Sequence, residues 1–176
     1  MEEAVFNAAN SDDGAMYLAN IMNKGSEESV YMMMDTIGQV GETFEESTLA
    51  LEVFSSMADS ESFNDMNFGD QGQDLFDNMM EDAVYAAANS EDGAMMLGNM
   101  MANGSEESMG MMMNTISMVG ETDPNSTLAL EVLSSMAEND YLDDMNFGDQ
   151  GQDLFDNMME DAVYAAANSE DGAMML

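Results

Sequence analysis

The chain has 176 residues, of which 45% are hydrophobic and 25 are methionine, so it is long enough for a domain with a sizeable core. Its 37 acidic residues are accompanied by a single basic residue, Lys24, and the net charge of −36 excludes nucleic acid and anionic membrane surfaces as partners because both repel it. The absence of cysteine and histidine excludes disulfides, thiolate nucleophiles, Cys/His zinc sites and imidazole chemistry, and no apolar run reaches the roughly 20 residues that membrane insertion requires.

The sequence is a tandem repeat with a period of 79 residues, and 55 of the first 79 positions are identical in the second copy. We therefore divide it into repeat 1 (residues 1–79), repeat 2 (80–158) and a partial repeat 3 (159–176). The segment Asp65–Leu97 recurs without change as Asp144–Leu176. Both ends of the chain fall at internal positions of the repeat, so we expect a section of a longer array.

Within one period the apolar residues follow helical spacing, which predicts four helices per repeat. The first predicted helix spans residues 73–89 and has a wide apolar face built from two adjacent stripes. Three further helices are predicted at about 91–103, 106–119 and 124–138. Acidic pairs fall in the first turn of nearly every helix, where the helix dipole favours them by about 0.3 to 1 kcal/mol each.

Turn residues mark the predicted boundaries. Gly104 precedes Ser105, an order typical of a left-handed glycine at a helix end followed directly by an N-cap serine, and residues 25–26 repeat it. Pro124 suits the first position of the last helix, with Asp123 as its cap. The sequence thus predicts an all-α fold of tandem 79-residue repeats, each made of about four short antiparallel helices and α-solenoid-like, with helical bundles strung like beads as the alternative.

One stretch in each period is predicted to be non-helical, at about residues 60–73 and 139–152, and it carries the clearest metal-binding signal. Its oxygen-bearing side chains recur around two glycines, and Ca²⁺ binds about 6 to 8 such oxygens at 2.3 to 2.6 Å. The predicted ligands are Asp65, Asn67, Asp70 and Asp74 in the first loop, and Asp144, Asn146, Asp149 and Asp153 in the second.

The predicted calcium loop is not an EF-hand, since Asp70 stands where that loop needs glycine and Phe76 where it needs glutamate. The stretch Gly69–Leu75 resembles one unit of the calcium-binding nonapeptide of RTX proteins, with Asp70 in place of the second glycine. A single unit cannot form the β-roll that shares calcium between turns. In the alternative interpretation the acids are solvated, and Asp70 or Asp74 caps the next helix.

The methionine clusters allow two interpretations. Thioethers are soft ligands for Cu(I), but no histidine or cysteine accompanies them, and several fall on the inward stripe of a predicted helix. We therefore expect methionine to fill the core. Three consecutive methionines at residues 32–34 cover most directions around a helix, so some must face outward, which suggests lateral association with another copy.

The sequence does not predict an enzyme. The serine pairs at residues 55–56 and 134–135 have no histidine or lysine close in sequence to activate them, and no carboxylate pair is set apart from the acids that recur in both repeats.

The high negative charge predicts a dependence on cations. Two like charges 10 Å apart in water repel by about 0.4 kcal/mol, so dozens of them oppose compaction unless salt screens them or divalent ions bind. A salty or calcium-rich exterior meets both conditions. The sequence therefore predicts an extracellular, self-assembling structural protein of a filament, surface layer or adhesin stalk, stabilised by cations. The alternative is a cation-binding or mineral-nucleating protein whose carboxylates are themselves the function.

Overall fold

The computed structural model describes residues 2–11, 13–44, 47–59, 69–123, 125–139, 141–143 and 148–169. These residues form nine α-helices and one short 3₁₀ turn, and they contain no strand, which confirms the predicted all-α fold class. The helices are α1 (Glu2–Ala8), α2 (Gly14–Lys24), α3 (Glu27–Thr43), α4 (Leu49–Asp59), α5 (Gly69–Ala88), α6 (Gly93–Asn103), α7 (Glu106–Thr122), α8 (Leu128–Glu138) and α9 (Gly148–Asn168), and the 3₁₀ turn is Tyr141–Asp143.

The helix bounds recur at the 79-residue spacing of the sequence. Helices α2, α3 and α4 begin and end 79 residues before α6, α7 and α8. The start of α9 lies 79 residues after the start of α5, and α1 is equivalent to the C-terminal part of α5. The packing partners recur as well. Helix α2 packs on α4, and the equivalent α6 packs on α8. Helix α5 packs on α3 and α4, and the equivalent α9 packs on α7 and α8.

The core runs through the whole described part of the chain as one cluster of buried side chains. It passes from the first repeat to the second because α4 packs against α6, and α5 packs against both α6 and α7. Phe54 on α4 and Phe76 on α5 meet edge to face inside it, with ring centroids 5.2 Å apart. Such aromatic pairs contribute about 0.5 to 1.5 kcal/mol beyond the area they bury.

Methionine is the main large side chain of this core, as the sequence predicts. In the cluster at residues 32–34, Met33 and Met34 are buried and Met32 is 41% exposed. In the equivalent cluster Met112 and Met113 are buried. The unbranched, flexible thioether fills irregular gaps between helices, which suits a core built from many short helices.

The serine caps form as predicted, but the glycines beside them do not take the predicted conformation. Ser26 and Ser105 each accept a hydrogen bond from the backbone N–H three residues later, at 3.4 and 3.1 Å. Gly104, however, has φ −82° and ψ 167°, which is extended backbone and not left-handed. Glycine is needed there for space, since a Cβ would lie 2.9 Å from the carbonyl oxygen of Met100.

Two predicted helix starts are wrong. The last helix of the second repeat begins at Leu128 and not at Pro124, which lies outside the described residues. Asp123 ends α7, and its carboxylate accepts a hydrogen bond from the backbone N–H of Asn125 at 3.0 Å, which makes it a turn residue. Helix α5 begins at Gly69, so the stretch predicted as non-helical up to residue 73 ends four residues earlier.

Candidate functional site: the junction between repeats

The surface at which the first repeat meets the second is the candidate interaction site of the described structure. We define the junction as the contact of α4 and α5 with α6 and α7. It recurs nowhere else as a complete contact, because the described helices supply one full set of these four elements. The equivalents of α6 and α7 are α2 and α3, at one end of the molecule. The equivalents of α4 and α5 are α8 and α9, at the other end.

A stripe on α6 forms one side of the junction. Met96, Asn99, Met100 and Asn103 succeed one another at spacings of three, one and three residues, which places them on one helix face. Met100 is fully buried at 0% exposure, and the other three are half-buried. Because α4 packs against α6, this apolar and amide face is partly shielded from water.

The equivalent stripe on α2 is open. Tyr17 is 59% exposed and Ile21 50% exposed, and Asn20 and Lys24 complete the stripe as exposed residues. The stripe that the sequence predicts to face inward on α6, formed by Ala94, Leu97 and Met101, is buried, and so are the equivalent residues 15, 18 and 22 on α2. The second stripe is a different face of the same helices, and of its four positions only Asn20 and Asn99 are identical in the two repeats.

A side-chain hydrogen bond between Asn99 and Asp59 crosses the junction. The amide of Asn99 on α6 donates to the carboxylate of Asp59 on α4 at 2.6 Å. Asn103 supports it by donating to the side-chain oxygen of Asn99 at 2.9 Å. At the open end of the chain Asn20, the equivalent of Asn99, donates instead to the backbone oxygen of Met16 in its own helix, at 2.9 Å.

The link between α5 and α6 is held close by a glycine. A Cβ on Gly93 would overlap the backbone carbonyl of Ala87, so only glycine permits this approach. Gly14 stands in the same relation to Ala8 between α1 and α2. The amide of Asn89 also donates to the carbonyl oxygen of Tyr85 at 2.9 Å, which satisfies one of the last carbonyls of α5.

The predicted calcium ligands fall largely outside the described residues. Asp65, Asn67, Asp144 and Asn146 lie there, and the side chains of Asp70 and Asp149 are not described either. Asp70 and Asp149 belong to the first turns of α5 and α9, and Asp74 and Asp153 are exposed on the same helices. Among the side chains that the structure describes, no group of three acidic residues is arranged to hold a metal ion. The calcium site stays a prediction.

The second repeat also has an acidic groove between α7, α8 and α9. Its volume is about 290 Å³, and its rim carries the carboxylates of Glu121, Asp123 and Asp161 together with the hydroxyl of Ser126 and the ring of Tyr164. These groups give the groove a negative potential that attracts cations in general.

Comparison with protein families, with curated proteins and with solved structures gives no match for this chain. None of the helices described above combines the length and apolar character that a membrane span needs. The geometry of the junction is therefore the basis for assigning a function.

Proposed function

We propose that this chain is a section of a structural, non-enzymatic repeat protein in which successive 79-residue units stack through the junction into a stiff acidic rod. The observation that carries the proposal is the continuity of the core, since α5, which spans the boundary between the repeats, packs against α3 and α4 of the first repeat and against α6 and α7 of the second. In a repeat protein of this kind each unit completes the core of its neighbour, and adding repeats lengthens the protein without changing the fold of each repeat. A filament, surface layer or adhesin stalk outside the cell is the setting that we propose.

The charge supports an extracellular, cation-rich environment. Thirty-seven acidic residues and one lysine give the rod a strongly negative surface, so neighbouring units repel one another in water of low ionic strength. The Debye length falls from about 10 Å at 0.1 M salt to about 3 Å at 1 M, which removes most of this repulsion. Stabilisation by Ca²⁺ or by other cations is accordingly part of the proposal.

A test of the proposed function lengthens the rod covalently. Additional copies of residues 80–158 are inserted in the chain, and small-angle X-ray scattering then measures the maximum dimension and the cross-section of each product. A stacked rod gains the same length for every added repeat at constant cross-section. Beads on linkers would give a broad distribution of end-to-end distances, and that result would contradict the proposal.

A further inference from the structure

The sequence contains two acceptor motifs for N-linked glycosylation, in which an asparagine is followed two positions later by serine or threonine. One motif begins at Asn103 and the other at Asn125, and both lie in the second repeat. In the first repeat the equivalent residues are Lys24 and Glu46, although the serine and the threonine of the two motifs are kept. Each motif therefore depends on an asparagine that the first repeat lacks.

The structure separates the two asparagines. Asn125 is exposed in the turn between α7 and α8, where its backbone N–H donates to the carboxylate of Asp123 at 3.0 Å. Asn103 is half-buried on the stripe of α6 that forms the junction. Its side-chain nitrogen donates to the backbone oxygen and to the side-chain oxygen of Asn99, at 3.0 and 2.9 Å. The nitrogen that a glycan would take is thus engaged in the junction at Asn103, whereas Asn125 lies at the surface.

Asn125 also lines a groove between α5, α7 and α8. The groove has a volume of about 360 Å³, and small-molecule sites range from about 300 to 1,000 Å³. Its lining combines the ring of Tyr85 with the amide of Asn89 and the carboxylates of Asp123 and Glu131. The face of an aromatic ring attracts the C–H groups of a sugar, and amides and carboxylates form hydrogen bonds with sugar hydroxyls. The groove therefore offers a sugar both kinds of contact beside the acceptor.

In the first repeat two phenyl rings occupy the equivalent positions. Phe6 and Phe44 are the equivalents of Tyr85 and Asp123, and their rings meet edge to face with centroids 6.3 Å apart. A phenyl side chain offers no hydrogen-bonding group to a sugar. The repeat that has an accessible acceptor asparagine is therefore also the repeat with a polar lining beside it.

We propose that Asn125, and not Asn103, carries an N-linked glycan, and that the first sugar of this glycan lies in the groove against Tyr85. The proposal rests on the extracellular setting of the proposed function, because N-linked glycans are added to chains that enter a secretory route.

The transfer uses a lipid-linked oligosaccharyl diphosphate as the donor. The side-chain nitrogen of Asn125 attacks the anomeric carbon of the donor sugar, and a C–N bond forms there. The bond from this carbon to the diphosphate oxygen breaks, the lipid diphosphate leaves with the bonding pair, and the nitrogen loses one proton. No oxidant or reductant takes part.

The site is tested by expressing the chain behind a secretion signal in cultured animal cells. Mass spectrometry of the secreted protein then measures the glycan at each motif. We expect one glycan per chain, which Asn125→Gln removes. Asn103→Gln is the matched control, since it makes the same substitution in the other motif, and it should leave the glycan in place. A secreted chain with no glycan on Asn125, or with a glycan on Asn103, would overturn the assignment.

The contact with Tyr85 is tested by thermal unfolding. Enzymatic release of an N-linked glycan leaves aspartate at the site, so Asn125→Asp is the reference without sugar. The glycosylated chain should unfold at a higher temperature than this reference, and Tyr85→Ser should reduce the difference because the sugar loses the ring. Tyr31→Ser is the control, since Tyr31 lies outside the groove and is 40% exposed, close to the 36% of Tyr85. An equal reduction by both substitutions, or by neither, would overturn the contact.

The glycan and the structural function fail separately. The lengthened rod is measured on chains without a glycan, so a rigid rod with an empty Asn125 would refute the modification and leave the structural function standing. A flexible chain with an occupied Asn125 would refute the rod alone.

Discussion

Asn99 on α6 donates a hydrogen bond at 2.6 Å to Asp59 on α4, and so ties a helix of the second repeat to a helix of the first. The two residues are 40 positions apart in the chain. Their equivalents, Asn20 and Glu138, lie on helices that do not contact one another within a single copy. An asparagine and an acidic residue therefore form one contact inside the chain, and their equivalents on α2 and α8 do not pair with each other.

Replacing Asn99 by alanine should destabilise the chain through the junction alone. A hydrogen bond to a charged group such as the Asp59 carboxylate contributes about 1.5 to 3 kcal/mol, but this bond is exposed to water, so we expect a loss below that range, of about 0.5 to 1 kcal/mol. Urea unfolding, followed by circular dichroism, measures the free energy of unfolding of the variant and of the parent chain. Asn20→Ala is the matched control, because it makes the same substitution in an equivalent helix and gains the same helix propensity. Equal effects of the two substitutions would show that the contact to Asp59 contributes nothing.

Removing the Met100 side chain should weaken the junction much more. Met100 is fully buried, and truncating a core methionine to alanine costs about 2 to 5 kcal/mol. Its equivalent Ile21 is half-exposed, so Ile21→Ala should cost about 1 kcal/mol or less. Unfolding midpoints of both variants, measured at a protein concentration too low for assembly, give the comparison. A similar loss for both would mean that α4 does not shield α6.

Two glycine substitutions should have opposite signs. A Cβ at Gly93 would overlap the carbonyl of Ala87, so Gly93→Ala forces α5 and α6 apart and lowers stability. Gly38 lies within α3, and a Cβ at this position would meet no neighbouring atom within 4 Å, so Gly38→Ala raises stability by about 0.5 to 1 kcal/mol. Thermal unfolding distinguishes the two. Stabilisation by Gly93→Ala would contradict the close approach.

The sequence predicts most helices well because local signals are strong in this chain. Glu106 begins α7 as predicted, since the side chain of Ser105 caps it. The predicted end of α7, at about residue 119, is too early because Gly120 follows it and glycine is typical of a helix end. In the structure the helix continues to Thr122 and Gly120 lies within its last turn, where a Cβ would make only ordinary contact, at 3.6 Å, with the side chain of Asp161 on α9. A glycine inside the last turn of a helix has the same local signature as a glycine that ends one.

The junction is less accessible to sequence reasoning for a different reason. Ile21 and Met100 occupy the same position of the repeat, and both are apolar, so the sequence predicts the same environment for them. Their exposures differ, and their helices differ in their neighbours: α6 packs against both α4 and α8, whereas α2 packs against α4 alone of these two, which depends on the order of stacking. The end helices illustrate the same limit: Val5 and Val163 are equivalent valines, one buried and one half-exposed.

Cations should stabilise the chain in two separable ways. Raising NaCl from about 0.01 to 1 M shortens the Debye length from about 30 to 3 Å, so the unfolding temperature should rise steadily as repulsion among the 37 acidic residues is screened. At equal ionic strength, Ca²⁺ at about 1 mM, the range of weak extracellular calcium sites, should raise the unfolding temperature further than Na⁺ does.

Asp65→Asn combined with Asp144→Asn should remove this additional, calcium-specific rise if the predicted loops bind the ion. Glu27→Gln combined with Glu106→Gln removes the same charge from two exposed first-turn positions and should leave the calcium-specific rise intact. A rise that depends on ionic strength alone would show that screening is the whole effect and would remove the calcium prediction.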